Sequence, residues 1–107
     1  MAPTCTRVPV MVGHCIEVRA TFERPVTVDA AREAMRAFPN LELDDMPTPL
    51  EWAGRDEVAV GRVRADLFDD HSLNFFVVGD NLLKGAALNT VQIAELLHER
   101  GLLGVRA

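Results

Sequence analysis

Between residues 16 and 23, apolar Ile16, Val18, Ala20 and Phe22 alternate with Glu17, Arg19, Thr21 and Glu23. This period of two predicts a strand with one face covered and one wet. Upstream, Arg7-Val8-Pro9-Val10 is short and β-prone. It predicts a brief strand whose proline suits an edge, and Gly13-His14 permits a tight bend before the main strand. The period then changes. Thr27 is an N-cap candidate and Asp29 complements the dipole of a first turn. Val28, Ala31, Met35 and Phe38 follow at helical spacing until Pro39-Asn40 ends the run. Leu41-Glu42-Leu43 reads as a further short strand. Asp44 to Leu50 is a loop, because Pro47 and Pro49 defeat both helix and ladder, and Trp52-Ala53-Gly54 extends it.

Val58 and Val60 then alternate in one phase, and Val63, Ala65 and Leu67 in the other. The slip at Gly61-Arg62 predicts a β-bulge. After the polar turn Asp69-Asp70-His71-Ser72, the nearly unbroken apolar run Leu73 to Val78 predicts a strand covered on both faces. Gly79-Asp80-Asn81 leads into the longest helix, Leu83 to Arg100, with Gly101 beyond its end. Leu83, Ala86, Ala87, Val91, Ile93, Ala94 and Leu97 compose its expected apolar face, opposite Lys84, Gln92, Glu95 and Glu99. The order of elements predicts an α+β fold, a mixed and mostly antiparallel sheet with helices on one face.

Composition narrows the function classes. With 107 residues, 49% of them hydrophobic, the chain suits one domain over residues 1–107 and excludes disorder. It is too short for a dinucleotide-binding unit joined to a separate substrate domain. No apolar run approaches the ~20 residues of a membrane span. A net charge of −5 without a basic run excludes nucleic acid as a partner. Cys5 and Cys15 lack CxxC spacing, and Met1-Ala2-Pro3-Thr4 shows no leader pattern. Reduced thiols and a cytoplasmic location are the expectation.

Few residues carry candidate chemistry. His14 follows a glycine in a bend between strands, where an imidazole can serve as a general base; an exposed turn histidine is the plainer reading. Arg7 suits a bidentate clamp on a carboxylate, or an ordinary surface position. Cys15 adjoins His14, but neighbours on a strand face opposite ways, so the pair makes a poor nucleophile and base. No metal-ligand spacing joins Cys5, His14, Cys15 and His71. Arg62 and Arg64 offer charge for an anion or a subunit, or simply a solvated face. His98 suits the helix end. The Gly85-Ala86-Ala87 stretch allows a close approach of backbone to a ligand or another element.

These pieces occur in an order that resembles the C-terminal part of aspartate-semialdehyde dehydrogenase. The motifs are Thr6-Arg7-Val8-Pro9-Val10, Gly13-His14, Glu23-Arg24-Pro25-Val26-Thr27-Val28, Pro47-Thr48-Pro49-Leu50, Ala53-Gly54-Arg55-Asp56-Glu57-Val58, Val60-Gly61-Arg62-Val63-Arg64-Ala65-Asp66, Val77-Val78-Gly79-Asp80-Asn81-Leu82 and Lys84-Gly85-Ala86-Ala87-Leu88-Asn89-Thr90. The likeness runs from about Thr4 to Leu97. It implies part of a glyceraldehyde-3-phosphate-dehydrogenase-like catalytic and dimerisation domain. It also implies an NADPH-dependent reduction of L-aspartyl 4-phosphate to L-aspartate 4-semialdehyde, serving lysine, threonine, methionine and diaminopimelate biosynthesis, by a homodimeric enzyme.

On this resemblance His14 matches the acid/base histidine, Arg7 the arginine that holds the substrate carboxylate, and Asn81 a position beside the nicotinamide end of NADP. The departures bear on activity. Neither Cys5 nor Cys15 matches the family's nucleophilic cysteine, Cys15 standing where serine is common. The Gly-rich cofactor fingerprint and N-terminal cofactor domain have no counterpart in these residues, and Leu83 replaces a common arginine. The expectation is a segment inactive alone. The alternatives are a non-catalytic dimerisation or interaction module, and thiol chemistry through Cys15 and His14.

Overall fold

The computed structural model describes residues 5–102. Four strands form one sheet: β1 (His14–Thr21), β2 (Leu41–Leu43), β3 (Val58–Ala65) and β4 (Ser72–Gly79), in the order β1-β4-β3-β2. β4 pairs antiparallel with both β1 and β3, while β2 runs parallel to β3. The fold is α+β with a mixed, mostly antiparallel sheet. The apolar run Leu73–Val78 lies on a central strand with Leu73 and Val78 fully buried, but it is not covered on both faces: Asn74 to Val77 are half-buried, and Val77 lines an open cleft.

Helix α1 (Val28–Arg36) begins where Thr27 Oγ1 accepts from the Ala30 N–H at 3.2 Å. It packs against β2 and β3. Past its end Asn40 takes a positive φ of 59°, a conformation asparagine tolerates well. The expected bulge is present. Registration between β3 and β4 shifts between Gly61 and Arg64, and Arg62 sits at φ 54°.

Two expectations are corrected. Arg7-Val8-Pro9-Val10 forms no strand: Pro9 has no N–H to give a ladder, and the Val10 N–H closes a tight turn on the Val8 carbonyl at 2.9 Å. The long helix is also not uniform. It opens as a π turn (Leu83–Ala87), where the Leu88 N–H reaches back to the Leu83 carbonyl, and only then becomes α2 (Leu88–Glu99). The side expected to be polar is partly covered, since the Lys84 ammonium donates to Gln92 Oε1, whereas Val91 and Ile93 are exposed.

The core sits under the loop that joins β2 to β3. Trp52, 4% exposed, packs with Ala59 and Val78, and Cys15 and Phe76 flank them. The loop shapes itself for this. Glu51 N–H is held by Thr48 Oγ1, the Trp52 N–H donates to the Thr48 carbonyl, and the indole N–H finds Asp44 Oδ2 at 3.0 Å. A buried indole therefore keeps a partner for its polar edge. Arg55 lies over the ring, 4.4 Å from its centroid.

The same loop descends on Gly61 so closely that a Cβ there would meet the Asp44 carbonyl oxygen and Pro47 Cδ at 2.3 Å each. Gly61→Ala should therefore lower unfolding free energy by about 2–3 kcal/mol, through forced displacement of packed backbone. Gly54→Ala faces no clash within 4 Å, only φ 78°, and should cost about 1–2 kcal/mol. Urea titrations of the two variants check the order.

Candidate functional site

The C-terminal end of β4 lies beside the N-terminal start of β1, with His14 opposite Gly79 in the ladder. An open cleft forms there, lined by His14, Ile16, Val58, Val77, Gly79, Asp80, Asn81, Lys84 and Gly85. Its floor is apolar. Its polar groups come from the bend before β1 and the turn after β4.

His14 is exposed as the first residue of β1, and Gly13 sets its approach. Gly13 has φ 114°, and a Cβ at that position would press on Pro49 Cβ and the Pro49 carbonyl oxygen at 3.0 Å. Only glycine fits both constraints. The Gly13 N–H donates to Asn81 Oδ1 at 2.8 Å, which ties the bend just before His14 to Asn81 across 68 positions of chain. Asn81 thus fixes the bend from which the imidazole departs. With its oxygen committed, the donor remaining to the Asn81 amide is Nδ2.

Asp80, the residue before it, carries the most heavily bonded carboxylate of the cleft. It is 4% exposed. Oδ2 accepts from the Gly54 N–H at 2.8 Å, and Oδ1 accepts from the N–H groups of Leu82 at 2.7 Å and Leu83 at 3.2 Å. Its carbonyl accepts from the Gly85 N–H at 3.0 Å, which starts the π widening. The N–H of Gly54, then that of Leu82, hold this carboxyl below its ordinary 3.8, and burial opposes them without prevailing. Sequence reasoning placed Asp80 only in a connecting turn. Its cue was an Asp immediately before a helix, the pattern of a capping side chain.

Arg7 lies on the exposed segment before β1 and does not line the cleft. Cys15 points to the opposite face and packs toward Trp52, as a small apolar residue does. Among the described residues no group of three or more His, Cys, Asp or Glu is placed to hold a metal ion. Arg64 pairs with Glu17 at 3.1 Å, and Arg19 bonds Asp66 at 2.7 Å and Asp69 at 3.3 Å. These arginines are occupied within the sheet's polar face. The Arg19 guanidinium, ahead of the Phe68 N–H and Asn74, holds the Asp66 carboxyl far below its usual range. Ser72 Oγ and the His71 N–H lower Asp69.

The chain has known relatives. Residues 1–84 match the family described as semialdehyde dehydrogenase, dimerisation domain. The chain belongs to that family. Over 94 residues it is 53% identical to the aspartate-semialdehyde dehydrogenase of Streptomyces akiyoshiensis, covering 88% of this chain and 28% of that protein. The Corynebacterium glutamicum enzyme is also 53% identical, over 96 residues. Aspartate semialdehyde dehydrogenase II of Vibrio cholerae, solved in complex with ASA, superposes with a TM-score of 0.81 at 40% identity, over 91% of this chain and 30% of that one. A probable aspartate-semialdehyde dehydrogenase from Pseudomonas aeruginosa gives 0.75 at 39%, over 83% of this chain and 28% of that one. The chain thus spans less than a third of the length of these relatives. The family is one of oxidoreductases, and no helix among the described residues is long and apolar enough to cross a membrane.

The depressed carboxyls set the pH response. A group whose folded value lies below its unfolded one stabilises the fold above the unfolded value, and that contribution is lost as pH falls through the folded value. Stability should therefore decline steadily below about pH 4. Asp80→Asn should be less stable at neutral pH and show a shallower decline below about pH 4, followed by thermal unfolding across a pH series.

Proposed function

We propose that this chain forms the C-terminal part of an NADP-dependent aspartate-semialdehyde dehydrogenase, which converts L-aspartyl 4-phosphate to L-aspartate 4-semialdehyde with release of phosphate. The hydrogen bond from Gly13 to Asn81 carries the reading, because it draws the histidine assigned to acid/base work and the residue assigned to the nicotinamide side into one cleft.

His14 is the acid/base: an exposed imidazole at a rigid bend takes a proton from an approaching thiol or water and returns it. Arg7 is the clamp on the substrate carboxylate, its guanidinium suited to two parallel charge-assisted bonds. Asn81, with Nδ2 left as a donor, would hold the nicotinamide end of the cofactor together with its cleft neighbours Gly79 and Gly85. Those residues fit the nicotinamide end of NADP, whereas the described residues show no Gly-rich cradle for its phosphates. When bound, NADPH supplies the reducing equivalent for the acyl group. Catalysis needs a nucleophilic cysteine that neither Cys5 nor Cys15 provides, so the remaining two-thirds of such an enzyme must complete the site.

The purified chain should show no NADP-dependent turnover of aspartate semialdehyde. Grafted in place of the matching region of the Streptomyces akiyoshiensis enzyme, it should support turnover. In that chimera His14→Asn should lower kcat by about 10²–10⁴-fold, and Arg7→Lys should raise KM by about tenfold or more. Turnover by the isolated chain that survives His14→Asn would overturn the assignment.

A second reading, a non-catalytic dimerisation module, is favoured by the family's description and by the exposed Leu67 and Phe68 at the β3–β4 turn, 90% and 95% open. Light scattering after size exclusion should report a homodimer under this second reading; a monomer stable to concentration removes it.

A further inference from the structure

We infer that Asp80 is a positioning residue that ties the Trp52 loop to the turn bearing Asn81 and, through Asn81 and Gly13, sets His14. The inference rests on the reading of the cleft just given, but the structural chain stands on its own distances. Trp52 seats the β2–β3 loop on Ala59 and Val78. Two residues later the Gly54 N–H donates to Asp80 Oδ2 at 2.8 Å, while Pro49 of the same loop abuts Gly13. Asp80 Oδ1 meanwhile gathers the Leu82 and Leu83 N–H groups, so one carboxylate fixes both flanks of Asn81. Asn81 in turn holds Gly13, and Gly13 carries His14.

The loop therefore reaches the histidine by two routes, directly through Pro49 and indirectly through Gly54, Asp80 and Asn81. The carboxylate is well suited to the junction. It accepts three backbone N–H groups at once and donates none, which no neutral side chain of its size matches. At 4% exposed it has no water to fall back on if one of those partners is lost.

The test is amide hydrogen exchange and imidazole NMR on this chain. In the unmodified protein the amides of Gly13, Gly54 and Leu82 should exchange with a common opening free energy, because one junction holds all three. In Asp80→Asn the side-chain oxygen still serves Leu82, but the amide nitrogen faces Gly54 as donor against donor. Gly54 and Gly13 should then each lose about tenfold in protection, and the His14 ring signals should shift. Amides of the β1–β4 ladder near Val18 and Phe75 should stay unchanged, and Asn81→Ala should expose Gly13 while leaving Gly54 protected. Rising Gly54 exchange with Gly13 and His14 undisturbed would overturn the inference. So would Gly13 and Gly54 opening independently in the unmodified protein, a measurement that needs no variant to fold. Because none of these readouts is turnover, failure here leaves the dehydrogenase assignment standing, and failure of the chimera leaves the positioning role standing.

Discussion

The rest of the structure depends on how the β2–β3 loop is pressed onto the sheet. Irregular backbone over a sheet is costly unless its polar groups are matched, and this loop matches them locally: Thr48 serves Glu51 and Trp52, and Asp44 serves the indole. What remains is a broad apolar ring over Ala59 and Val78. Burying most of one indole contributes a few kcal/mol, about 2–3 on area grounds, which is substantial for a core this small. The same loop lays Asp44 and Pro47 onto Gly61, which leaves no room for a Cβ there, and Pro47 is buried.

From that anchor the order of the molecule runs toward the cleft. The sheet supplies the spacing, since the antiparallel register of β1 on β4 places His14 against Gly79 and hence beside the turn bearing Asn81. The loop supplies the angle, through Pro49 on one side and Gly54 on the other. Charge is kept off the cleft's side of the sheet. Arg19, Arg64, Glu17, Asp66 and Asp69 neutralise one another on the opposite face of the sheet, so the cleft is left with a mostly apolar lining.

How much of this was legible in the sequence follows from the range of the interactions. β1, α1, the short β2 and the Gly61–Arg62 bulge were readable because periodicity, a Thr cap and a phase slip are local signals. The strand expected at Arg7–Val10 was not real, because β-propensity says nothing about whether a neighbouring edge is available to pair. His14 became a candidate from its bend and, with Asn81, from family resemblance. The bond that ties Gly13 to Asn81 was not legible, because a bond across 68 residues leaves no mark on local pattern. Asp80 and Trp52 escaped for the same reason: each acts by what it touches in another segment.

The π turn has a consequence for everything beyond it. One additional residue taken up in a turn sets the following side chains back by about 100° relative to an uninterrupted α-helix. The side chains of α2 are therefore displaced in azimuth from where a single continuous helix would put them, and the face read across Leu83 to Arg100 is split at Leu88. Gln92 comes round to Lys84, while no residue of α2 is buried and Val91 and Ile93 are exposed. The widening thus works as a phase adjuster. It lets one stretch of sequence obey two masters, with the residues up to Ala87 fitted to the cleft and those after Leu88 free to present a differently oriented surface.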